Sequence, residues 1–188
     1  MRKDQQARWQ DEALDVVWDA IALDEPLRTL LVFKGARALA QLLPSLPRES
    51  LDLDASLSGP LGAGLEPPQA TAAQLQQMLE RAIRRQVEAL DPRIYQLDRV
   101  VVQPSPLGGH PFGRQGYAVT IALRDLRRPG LLGTPNIRLD ISALEDLGTD
   151  ALEELRRGEG TVRVYSVTRQ AAEKLRALMA EADVRGRI

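Results

Sequence analysis

The chain contains no cysteine and a single histidine, His110. Disulfides, thiolate zinc sites and thiol nucleophiles are therefore excluded, and His110 lacks the companions that a zinc site needs. His110 sits in LGGHPF, a turn-rich stretch, and reads as a loop residue. Aromatic residues make up only 4% of the chain, so the core must be built from Leu, Val, Ile and Ala. No run approaches the about 18 apolar residues of a membrane span. The opening MRKDQQARWQDEALD has no apolar segment of the secretory kind, so a cytoplasmic protein is expected. A formal charge of −1 creates no overall field that would draw in nucleic acid. There is no G-x-S-x-G elbow and no Walker A sequence, which argues against serine hydrolases and P-loop NTPases.

An apolar fraction of 44% over 188 residues suits one α/β domain. Residues 5–23 read as a helix with Trp9, Ala13, Val16, Val17, Ala20 and Leu23 on one face, stopped at Pro26. A strand is expected at 29–33. Lys34 and Gly35 then turn the chain into a short helix at 36–43. Residues 51–57 read as a second strand and 58–69 as a Gly/Pro-rich loop. Thr71 is the expected N-cap of a helix whose inner face carries Leu75, Met78, Leu79, Ala82, Ile83, Val87 and Leu90. The runs 98–103 and 117–124 form a wide antiparallel hairpin, and 137–142 a strand. Residues 146–157 read as polar and irregular, with at most a short helix. A strand at 161–166 and a helix at 167–182 close the chain, the helix turning Ala171, Leu175, Leu178 and Met179 inward. The catalytic core is thus expected within 29–142, with 161–188 as its C-terminal strand and helix.

Chemistry concentrates in three places. The first is Lys34-Gly35-Ala36-Arg37, where a glycine turn opens a helix. Such an N-terminus presents backbone N–H groups to an anion, and glycine allows close approach. The second is Asp52-Leu53-Asp54. On a strand, residues i and i+2 share a face, roughly 6–7 Å apart. Two like charges so placed resist ionisation together, and a divalent cation such as Mg²⁺ relieves the conflict. A solvated edge strand is the alternative. The third is Asp140, in the strand IRLDIS between two apolar neighbours. An aspartate there disfavours the strand unless something uses it. Beside Asp52 and Asp54 it completes a trio able to hold metal for phosphoryl chemistry. The arginines at 81, 84, 85 and 93, with 124, 127 and 128, either make an RNA-guiding stripe or pair with Glu80, Glu88 and Asp125.

Four ordered blocks resemble the AbiEii-type nucleotidyltransferases, the toxin halves of bacterial toxin–antitoxin pairs. LVFKGARAL is similar to that family's L-x-K-G-G-T-A-L element. Arg48 to Asp54 is similar to its R-x-S-x-D-L-D signature, LDIS at 139–142 to its third acidic element, and Tyr165-Ser166-Val167 with AEKLRAL to its V-Y-S-L and lysine helix. The resemblance implies a nucleotidyltransferase fold, a mixed sheet with helices packed on it. It implies Mg²⁺ at Asp52, Asp54 and Asp140, and an NTP bound by Lys34, Gly35, Ala36, Arg37, Ser50 and Lys174. It further implies transfer of NMP to a hydroxyl of RNA, tRNA-like, or of protein, and a cognate antitoxin as partner. The family's second glycine and following Thr or Ser are here Ala36 and Arg37. Arg37 either replaces the hydroxyl as a phosphate ligand or fills the cleft. The family's R-D-x-x-D element is not found near Arg185 and Arg187. The alternative reading is therefore a catalytically weakened or inactive binding or regulatory module on the same fold.

Overall fold

The computed structural model describes residues 3–45, 52–59, 68–106, 115–128, 136–143, 145, 147 and 152–185. Ser50 and His110 lie outside the described residues. Five helices and a seven-stranded mixed sheet are described. The helices are α1 (Lys3–Leu23), α2 (Glu25–Leu30), α3 (Gly35–Leu42), α4 (Pro68–Ala89) and α5 (Val167–Arg185). The strands are β1 (Leu31–Lys34), β2 (Asp52–Leu57), β3 (Tyr95–Pro106), β4 (Gln115–Asp125), β5 (Ile137–Ser142), β6 (Leu152–Arg157) and β7 (Gly160–Tyr165), in the order β3-β4-β5-β2-β1-β7-β6. β1 runs antiparallel to β2 and parallel to β7, and β2 runs parallel to β5. The architecture is the expected α/β sheet with helices packed on it.

One face of the sheet is apolar. Phe33, Leu53, Ala55, Leu139, Ile141 and Val164 alternate along their strands and enter a single core with α1 and α4. α1 contributes Trp9, Ala13, Leu14, Val17, Trp18 and Ile21, and α4 contributes Leu75, Leu79, Ile83 and Val87. The aromatic members are few but central: Trp18 lies 5.3 Å from Phe33 and Trp9 lies 6.1 Å from Tyr95, centroid to centroid. The periodicity that marked α1 and α4 is thus the burial pattern itself.

Four expectations are corrected or extended. α1 ends at Leu23 as expected, but Pro26 lies in the first turn of a further helix, α2, which Asp24 caps by accepting from the Leu27 N–H at 3.1 Å. Proline suits the first helical turn, whose N–H groups lack partners in any case. Leu23, at the end of α1, is 51% exposed rather than inward. Thr71 is not a cap: α4 begins at Pro68, and Thr71 lies buried within it. The stretch 152–157 is a strand, paired with β7 through a two-residue turn at Gly158 and Glu159. β6 is an edge strand, so its charged sequence LEELRR belongs to a fold that protects an open edge with charge.

α5 departs from expectation most. Leu175, Leu178 and Met179 are 61%, 61% and 71% exposed, and Ala171 is exposed with them. Helical spacing shows that such a segment is a helix, but not that a neighbour covers its apolar residues. The start of α5 is nonetheless tied down: Ser166 Oγ accepts from the Arg169 N–H, and Gln170 Nε2 donates to the Tyr165 carbonyl at 3.0 Å.

Arg37 settles the placement of α3. It is buried, and its guanidinium donates to Asp11 Oδ1 at 2.6 Å and Asp15 Oδ1 at 2.9 Å on α1. Asp15 also accepts from Arg157 of β6 at 2.7 Å, and Asp19 accepts from the same arginine at 3.0 Å. Asp11, Asp15 and Asp19 recur every four residues, so they form one acidic ridge. That ridge joins α3 and β6 to the helix between them.

Candidate active site

The opposite face of the sheet carries the polar groups. Asp54 is paired in register with Asp140 across β2 and β5, and with Lys34 across β1 and β2. Asp52 stands two residues from Asp54 on the same face, in register with Arg138. Directly opposed residues on neighbouring strands point the same way. The sequence-predicted trio is therefore gathered on one face, next to the turn at Gly35.

That turn is unusually close. Gly35 has φ of +79°, a conformation that L side chains rarely adopt. A Cβ there would stand 2.2 Å from Asp54 Oδ2. The Asp54 carboxylate therefore occupies the space a side chain would fill, beside the N-terminus of α3. The backbone N–H groups of that helix end favour negative charge nearby.

The charges of the trio oppose one another. Burial pushes the Asp54 carboxyl above the ordinary range, and the Asp140 charge pushes it further, while Lys34 and Lys174 pull the other way. Burial likewise raises Asp140, reinforced by Asp52 and opposed by Arg138. Lys174 of α5 is thus near enough to act on Asp54, as its position in the AEKLRAL block implies. As their side chains stand, no three His, Cys, Asp or Glu residues among the described residues form a metal cluster. The donor set nevertheless suits a hard divalent cation. Its three carboxylates lie on one face of two adjacent strands, and bound positive charge would relieve both the burial penalty and the repulsion.

Lys34 is anchored rather than loose. Its Nζ donates to Glu145 Oε1 at 2.5 Å and to Ser142 Oγ at 3.2 Å. Glu145 Oε2 also accepts from Ser56 Oγ at 2.6 Å and from the Tyr165 hydroxyl at 2.7 Å. Burial disfavours the Glu145 charge, yet the Lys34, Ser56 and Tyr165 donors outweigh that and hold its carboxyl at about 2. Burial raises the Tyr165 hydroxyl well above its usual range. Glu145 escaped sequence reasoning because its partner Lys34 is 111 residues away. The only local hint is an acidic residue just after LDIS.

A depressed carboxyl stabilises the fold when ionised. That contribution is full above the ordinary glutamate range and is lost as pH falls from there through about 2. Glu145→Gln is expected to lower the melting temperature at neutral pH and to flatten its dependence between those limits. Parallel acid-melting curves for the two proteins would contradict the assignment.

Of the other expected nucleotide contacts, Gly35 and Ala36 form the first turn of α3. Arg37 is turned to Asp11 and Asp15 instead. Of the seven surface arginines, Arg84 is ion-paired with Glu80, Arg85 with Asp24, Arg124 with Asp98, and Arg127 with Asp125 and Glu12. No described helix is long and apolar enough to cross a membrane.

A comparison with curated proteins gives no match. A family model described as nucleotidyl transferase AbiEii toxin, type IV toxin–antitoxin system, matches residues 17–188. That span takes in the Gly35 turn, the three aspartates, Glu145 and the Lys174 helix, so the chain belongs to the AbiEii nucleotidyl transferase toxin family.

Proposed function

We propose that the protein is a Mg²⁺-dependent enzyme that moves an NMP unit from an NTP to a hydroxyl of an acceptor, RNA or protein. It would act as the toxin of a toxin–antitoxin pair, countered by a cognate antitoxin. The observation that carries the reading is the register of Asp54 with Asp140 beside the Gly35 turn. Asp52, Asp54 and Asp140 would hold Mg²⁺, which when bound supplies charge neutralisation and makes the acceptor hydroxyl easier to ionise. The N-terminus of α3, at Gly35 and Ala36, receives the triphosphate. Lys174 adds positive charge on that side. Lys34, fixed by Glu145 and Ser142, holds the turn in place. Ser50 is retained as a nucleotide contact on the resemblance alone.

In the reaction, the acceptor oxygen bonds to the α-phosphorus as the bond to the bridging oxygen breaks. Pyrophosphate leaves with that electron pair. The hydroxyl proton passes to solvent water, the bound cation having made the hydroxyl easier to ionise. The alternative, a weakened or inactive module on the same fold, rests on Arg37 in place of a hydroxyl and on the R-D-x-x-D element not found near Arg185 and Arg187. Arg37 pairs with Asp11 and Asp15 on α1, so it does not fill the cleft. The test is incubation with each α-labelled NTP, total RNA and Mg²⁺. Label should enter RNA or protein, and its absence from both for all four nucleotides would defeat the proposal.

A further inference from the structure

The sheet continues beyond Asp140 as an open polar surface on β4 and β3. The register places Arg138 opposite Thr120, Asp140 opposite Ala118 and, one strand further, Gln103 opposite Ala118. Arg99 is opposite Ala122 on the same face. Arg138, Arg99 and Gln103 are exposed. Arg124 also lies on this face but is paired with Asp98. Among the described residues, no salt bridge is formed by Arg99 or Arg138, although the Arg138 charge also acts on Asp140 and Arg138 stands in register with Asp52. The two arginines thus stand about 12 Å apart at the backbone, two strand spacings across and two residues along, with Thr120, Ala122 and Val101 between them.

We propose that this β5–β4–β3 face is the acceptor platform, and that Arg138 and Arg99 bind backbone phosphates of a nucleic-acid acceptor. The inference rests on the function proposed above and adds a direction to it. Phosphoryl transfer needs the attacking and leaving oxygens roughly in line. The leaving pyrophosphate lies toward α3 and Lys174, on the β1 side of Asp54. The attacking hydroxyl must then arrive from the other side, over Asp140 and β4. What that side offers is guanidinium groups, an amide and small side chains around the partly buried Val101, with no exposed aromatic ring among the residues just named. Backbone phosphates are the complement of such a surface, since arginine forks match phosphate oxygens in pairs. An unstructured protein acceptor has no repeating anion to meet two separated arginines.

The test is fluorescence anisotropy of a short 5′-labelled single-stranded RNA with a free 3′-hydroxyl, without NTP. It compares the wild type with Arg99→Gln/Arg138→Gln and with Asp54→Asn. The arginine variant should bind at least ~10-fold more weakly, and its salt slope should fall by about 1.4 if two phosphate contacts are lost. Asp54→Asn should keep its RNA affinity, so a defect in transfer chemistry is told apart from a defect in acceptor binding. Arg99→Lys/Arg138→Lys should restore part of the affinity, which a folding defect would not allow. RNA affinity equal to wild type in the glutamine variant overturns the proposal. So does absence of RNA binding by the wild type.

Discussion

Asp54→Asn should abolish nucleotidyl transfer and at the same time raise the melting temperature. The two effects have one cause. Asp54 is the inner carboxylate of the trio, half-buried and opposed by Asp140 and Asp52. Its proton affinity is higher in the folded protein than in the unfolded chain. The folded state is therefore favoured by protonation, and at neutral pH the ionised group works against folding. Asparagine keeps the shape and removes the charge, so the variant should melt higher in metal-free buffer. The advantage should shrink as pH falls through the Asp54 pKa toward the ordinary aspartate value, where the wild type becomes neutral as well. Transfer should fall on the order of 10³-fold or more, as for loss of a group that organises charge at a reacting phosphorus. Added Mg²⁺ should stabilise the wild type and leave the variant nearly unmoved. A variant that melts lower and transfers within a factor of ~10 of wild type would remove Asp54 from the chemistry.

Gly35→Ala should damage both stability and transfer. Two penalties coincide there. The backbone has φ of +79°, and the new Cβ would meet Asp54 Oδ2 at 2.2 Å. Strain in that region amounts to about 1–2 kcal/mol, and the collision must push either the turn or the carboxylate aside. Gly158 supplies the control. It too has a positive φ, of +55°, but a methyl carbon added there would lie 3.9 Å from its nearest neighbours, the carboxyl atoms of Asp19. Gly158→Ala should therefore lose about 1 kcal/mol of stability and keep transfer intact. Gly35→Ala should lose more stability and, by displacing a reacting group, on the order of 10²-fold in kcat. Equal activity in the two variants would show that the closeness of Gly35 to Asp54 has no catalytic meaning.

Much of this molecule was legible in its sequence, for reasons tied to particular residues. α1 and α4 are long and bury one face, so their apolar spacing is unambiguous. The β3–β4 hairpin and β5 alternate, and the trio followed from the two-residue strand period together with the family resemblance. The failures share a different physics. β6 is built from charged residues because it is an edge, and edges do not display strand-like composition. α2 was hidden by a proline that opens a helix rather than ending one. The outward face of α5 could not be read, because spacing reports a helix and not its neighbours. Glu145 acquires its role only when β1, β2, β5 and β7 meet. Arg37 was open to several readings, yet the four-residue recurrence of Asp11, Asp15 and Asp19 was a usable signal that an arginine would be drawn to α1.

The pairing of β2 with β5 has a consequence for biosynthesis. These strands are parallel neighbours, with the whole of α4 and the β3–β4 hairpin between them in the chain. Closing so long a loop is entropically disfavoured, and such distant pairings form late. On a translating ribosome, Asp52 and Asp54 emerge long before Asp140. A growing chain cannot assemble the trio until β5 has been made and has paired beside β2, so any toxicity that depends on the trio is withheld until then.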